Sequence, residues 1–134
     1  SKQIEVQRRE VEACIAEQAG KHADALQMMH SAADLEESMD KDAVTPGAVI
    51  PARELLADML RSTQPREALA QYEAVLKVAP NRFNALYGAA ISAEASGNTA
   101  LATRYFQKLT EISVGEERPE LVTARKKIAV TAQK

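Results

Sequence analysis

Apolar residues recur along this chain at the three-and-four spacing of helices that bury one face. Residues 3–19 carry Ile4, Val11 and Ile15 as an apolar stripe, with Ala13, Ala16 and Ala19 beside them, and Gly20 supplies a left-handed stop. Residues 22–38 follow with Ala25, Leu26, Met29, Ala32, Ala33 and Leu35. The period then lapses, and Thr45-Pro46-Gly47 has the chemistry of a turn. Pro51 suits a first helical position, where a missing N–H costs nothing, and Ala52, Leu55, Leu56, Met59 and Leu60 point inward to about residue 61. Gln64-Pro65 turns the chain into a helix over 66–79, closed by Pro80. Residues 82–96 and 99–113 pair about Gly97-Asn98. Pro119 opens a last helix with Leu121, Ala124 and Ile128 on one side and Arg125, Lys126 and Lys127 mostly on the other.

The pattern repeats. Ala68, Tyr72, Val75 and Val78 return 34 residues later as Ala102, Phe106, Leu109 and Ile112. Ala25, Leu26, Met29, Ala32 and Leu35 precede Ala68, Leu69, Tyr72, Val75 and Val78 by 43, one repeat plus nine inserted residues. A 34-residue period built on helical spacing marks a solenoid of helical hairpins. Repeat one spans about 3–38, the inserted loop 39–50, repeat two about 51–80, repeat three about 82–113 and a terminal helix about 118–132, all in one domain. Within the loop, Val44, Val49 and Ile50 are apolar enough to pack, and it reads as a wedge between repeats in preference to an occupant of a groove.

These residues resemble the tetratricopeptide repeat. Leu86, Ala90, Gly97-Asn98, Ala102 and Phe106 stand where that family places its large apolar, small, turn, small and aromatic residues, and Pro80-Asn81 closes repeat two in the family's manner. The second repeat departs by lacking the turn glycine and being one residue short between Leu56-Ala57 and Ala68. The first has Glu12 at a usually large apolar place, which leaves its outer face open or set against an upstream repeat. The likeness covers about residues 3–113. Val44-Thr45-Pro46-Gly47 and the run Pro80-Asn81-Arg82-Phe83-Asn84-Ala85-Leu86-Tyr87-Gly88-Ala89 are also similar to the C-terminal part of long, poorly characterised bacterial members. Those carry His-Pro where Asp42-Ala43 stand here, so a role for that histidine is absent. The resemblance implies an all-α fold, a right-handed superhelix of three tetratricopeptide-like hairpins plus a C-terminal capping helix.

Composition narrows the function. Hydrophobic residues make up 46% but aromatics only 4%, so the helices are expected to pack closely through alanine. A net charge of −2 gives no field to draw the chain to nucleic acid or an anionic membrane. The single Cys14 cannot form an internal disulfide. No run is long enough for a membrane span. The chain opens on Ser1 inside a helical pattern, as a fragment would; a soluble, cytoplasmic setting is expected, with an upstream signal sequence left open.

Candidate chemistry is sparse. His22 and His30 lie eight apart and would need a third ligand from elsewhere, so both are read as solvent-facing. Cys14 is read as a small, buried or half-buried residue. Asp34, Glu36, Glu37, Asp40 and Asp42 lack the glycine and alternation of a calcium loop and are read as a solvated helix end. No catalytic residue, metal or cofactor is expected. Binding is the better prospect, because the resemblance implies that each repeat's first helix lines a concave groove. Carried over, the groove residues are Asn84, Tyr87, Ile91 and Glu94 in repeat three, Glu54, Asp58 and Arg61 in repeat two, and Glu10, Cys14 and Glu17 in repeat one. That groove is mainly acidic with apolar contact at Tyr87 and Ile91, which suits a peptide carrying Lys or Arg beside an apolar anchor. The residues that clamp a terminal carboxylate in some members are replaced here by Glu10, Cys14, Leu55, Asn84 and Gly88, so no clamp is expected. The alternatives are self-association as a homodimer or assembly module, and an accessory domain of an enzyme whose active site lies elsewhere.

Overall fold

A computed structural model describes residues 1–39, 51–113 and 118–133. Among them the chain is all helical: α1 (Lys2–Gln18), α2 (His22–Met39), α3 (Ala52–Leu60), α4 (Pro65–Val78), α5 (Phe83–Ala95), α6 (Thr99–Ile112) and α7 (Pro119–Ala132). The readings of residues 40–50, including Val44, Val49, Ile50, Asp40 and Asp42, lie outside the described residues. The chain divides into two compact units, Ser1–Leu60 and Arg61–Lys134. The boundary falls within the predicted second repeat, between its two helices, where the turn glycine is missing.

In the N-terminal unit α1 packs on α2 and α2 on α3. Gly20, with φ of +79°, makes the first turn, and the Lys21 N–H donates to the Ala16 carbonyl at 2.9 Å to satisfy a helix-end acceptor. The face α1 buries differs from the expected one. Val6, Ala13 and Ala16 are buried, whereas Ile4, Val11 and Ile15 are 66%, 58% and 61% exposed. Small residues let α1 and α2 approach closely, so the strip facing α2 is narrow and the larger aliphatics fall outside it.

The acidic end of α2 is a second correction. The Glu36 carboxylate accepts the Ala52 N–H at 2.9 Å, serving one of the donors that the first turn of α3 leaves without a helical partner. Arg53 reaches Glu37 at 2.6 Å and Asp34 at 3.3 Å. These acids therefore seat α3 instead of forming only a solvated helix end.

In the C-terminal unit α4 packs on α5, α5 on α6 and α6 on α7. The turn at Gly97 (φ +85°) repeats the one at Gly20: the Asn98 N–H donates to the Ala93 carbonyl at 2.9 Å, and Asn98 Oδ1 then accepts the Leu101 N–H at 3.2 Å to start α6. The core gathers Leu86, Ala90, Ala93, Ala102, Phe106, Leu109, Leu121 and Ala124, with Ile128 packed against it. Ala90 and Ala102 have the packing role their small size predicts. Gly88 has another: a Cβ there would stand 2.2 Å from Cζ of the buried Tyr72 ring, so the ring lies on bare α5 backbone. Glycine is a poor helix former, and close contact explains its place in mid-helix.

The repeat is visible as burial. Ala25, Met29 and Ala32 in α2, Ala68, Tyr72 and Val75 in α4, and Ala102, Phe106 and Leu109 in α6 are all buried. The fourth position fails, since Val78 is 82% and Ile112 37% exposed at the ends of their helices.

Candidate partner-binding face

On α5, the spacing of Asn84, Tyr87, Ile91 and Glu94 puts them on one face, and the rest of the helix is Ala, Gly or Ser enough to be buried nearly all round. Asn84 is exposed; Tyr87, Ile91 and Glu94 are half-buried. Tyr87 and Ile91 pack their inner sides against the core. The Tyr87 ring meets Phe106 edge-on, 6.4 Å between centroids at 62°, and the Arg61 guanidinium lies 6.0 Å from the Tyr87 centroid. Such edge contacts fix a ring's orientation, and the cation adds a further modest attraction. Lys127 on α7 reaches Glu94 on α5 at 2.9 Å. Tyr87 and Ile91 thus form a half-buried apolar patch, with Arg61 against the Tyr87 ring and the Glu94–Lys127 pair at the end of the same helix face. Lys127, expected on the polar outer side of its helix, pairs instead with Glu94, 33 residues away in the chain and with no local signal in the sequence.

No protein-family model and no curated protein matches this chain.

The N-terminal unit handles its candidates differently. Glu54 is only 1% exposed, so it is not a groove residue open to a partner. It stands on a short helix whose Ala52, Leu56, Ala57 and Leu60 are also buried, and a carboxylate so enclosed serves the fold. Asp58 is exposed. Cys14 is exposed as well, against the expectation of burial. Glu17 accepts from the His22 ring at 2.9 Å, so His22 is half-buried and paired, not merely solvent-facing. Glu10 has an enclosed Oε1 with no hydrogen-bond partner; burial, and then the Glu36 charge, raise its pKa above the usual carboxylate range. Glu5 has the opposite environment, since hydrogen bonds from Arg8 and then Arg9 lower its pKa to about 2.

Among the described residues no group of three His, Cys, Asp or Glu side chains could hold a metal. No described helix is long and apolar enough to cross a membrane. A depression of about 450 Å³ lies at the start of α4, lined by Gln64, Pro65, Arg66, Glu67, Ala95 and Ser96, and it includes none of the candidate residues. Gly88 and Lys127 are the positions that matter here and that sequence reasoning undervalued. A glycine in the middle of an otherwise good helix was the available signal for the first.

Proposed function

We propose that this chain is a non-catalytic module of a tetratricopeptide-like helical array, which binds a partner protein or peptide on the α5 face. The observation that carries the reading is the ordered surface of Tyr87 and Ile91 between Arg61 and Glu94, backed by a helix of small buried residues. An apolar anchor of the partner would lie on Tyr87 and Ile91. A flanking Lys or Arg would exchange for Lys127 at Glu94. The recurrence of the same buried triads in α2, α4 and α6 supports the repeat reading, because such arrays present first-helix faces to partners.

Peptide display against the intact chain tests it. The expected result is enrichment of a common motif pairing an aliphatic or aromatic residue with Lys or Arg. Binding should be lost in Ile91→Asp and weakened in Glu94→Lys, with helical content unchanged. A failure to enrich any motif, or a motif that both variants still bind, would overturn the proposal.

A further inference from the structure

On the α5 face an acid stands beside the apolar patch, and its partner comes from another helix. Glu94 accepts from the Lys127 ammonium at 2.9 Å, and the two side chains are 36% and 43% exposed. A pair so placed adds little to the fold, because water and salt screen it, and either charge can change partners without opening the core. Helix α7 does not depend on it. Leu121 and Ala124 are buried, and Ile128 packs on the same core. At the start of the helix Arg118 lies over the Phe83 ring, 4.2 Å from its centroid, and at the far end Thr131 and Thr103 share a hydrogen bond of 3.1 Å. Other contacts therefore fix the register of α7, and that register delivers Lys127 to Glu94.

On the reading of the α5 face as the binding surface, we propose that Lys127 is a built-in competitor there. It holds Glu94 in the free chain, in the place a partner's Lys or Arg would take, and so sets how strongly the face discriminates for that charge. Tyr87 and Ile91 carry no charge at neutral pH, and Arg61 is a cation at the Tyr87 ring. Glu94 is the acid that a basic residue beside an apolar anchor would meet, about one helical turn from Ile91. Arg125 and Lys126 on α7 are exposed, whereas Lys127 is half-buried and turned far enough inward to reach α5. A partner's cation gains Glu94 only by releasing Lys127, whose ammonium returns to water. The exchange trades one exposed ion pair for another, so its net gain is small while Lys127 is charged and grows once that charge is removed. The face therefore selects first by the apolar anchor and only weakly by charge, and the residue that holds the second preference down lies on α7.

The probe is a peptide library that pairs an aliphatic or aromatic residue with a lysine at varied spacing, beside a twin library with norleucine in place of the lysine. Both are bound to the intact chain, and the ratio of the two affinities is the readout. The parent chain should prefer the lysine peptides, and Lys127→Met should enlarge that preference by up to about fivefold, the range of an exposed ion pair. The enlargement should be greatest at low salt. Lys127→Arg, which keeps the pair, should return the ratio to that of the parent. Glu94→Gln should abolish the preference, with Lys127 present or replaced. A role for Lys127 in folding alone would lower both affinities together and leave their ratio where it was. A ratio that is unchanged or falls in Lys127→Met would overturn the inference while leaving the α5 face standing. Failure of every peptide in both libraries to bind would overturn it together with the reading of that face.

Discussion

In α5, seven of thirteen residues are buried, and all but Leu86 and Ser92 of these are alanine or glycine. In α1, three of seventeen are buried, and its longest aliphatic side chains stand in water. Both helices open a hairpin closed by the same glycine turn, so local chain geometry does not explain the contrast. Neighbours do. α5 packs on α4 and on α6, and only small side chains fit between two close helices. α1 packs on α2, which needs one narrow strip. Burial here follows a helix's place among its neighbours more than the hydrophobicity of its residues.

The contrast predicts a graded series of effects. Phe106→Ala, which empties the core beside α5, should cost about 3–5 kcal/mol in urea unfolding. Gly88→Ala should cost about 1–3 kcal/mol, because its Cβ meets the Tyr72 ring. The sign is the informative part, since alanine is the better helix former by about 1 kcal/mol and would stabilise an uncrowded helix. If Gly88→Ala raised stability, the account of α5 as a helix held between neighbours would fail.

On α1 the expected effects are smaller. Glu10 has its pKa raised in the folded state, so its contribution is present below the ordinary value of 4.5 and is lost as pH rises through the raised one. Glu5 works the other way: its contribution is present above 4.5 and is lost as pH falls toward about 2. Glu10→Gln should therefore remove the loss of stability on the upper side of 4.5 and leave the acid limb in place, a change of under about 1 kcal/mol given the solvent around it. Urea unfolding repeated across pH checks both limbs. Ile15→Ser, at a position 61% exposed, should shift stability by no more than about 0.5 kcal/mol. A large loss would mean that the stripe is covered within a single chain.

The helices themselves were legible in the sequence, with bounds good to a residue or two, because glycine and proline stand at the turns and the apolar period is regular between them. Which face of a helix turns inward was less legible. In α1 both the alanine strip and the isoleucine–valine strip satisfy the helical period, and only the closeness of α2 decides between them. Glu54 misled for a related reason: charge argues for solvent, but α3 is short and buried around most of its circumference. The pairing of Lys127 with Glu94 joins long, flexible side chains far apart in the chain, and no local pattern encodes such a meeting.

The hold of Glu36 on the first amide of α3 bears on the order of events in folding. At nine residues α3 is shorter than the dozen or so that a free helix needs to persist in water. Its nucleus is supplied by a carboxylate from the preceding helix, so α3 should coil up only once α2 exists, and a peptide spanning 52–60 should remain a random coil in solution. That segment inherits its shape from the chain made just before it, a dependence that suits a protein emerging from the ribosome N-terminus first.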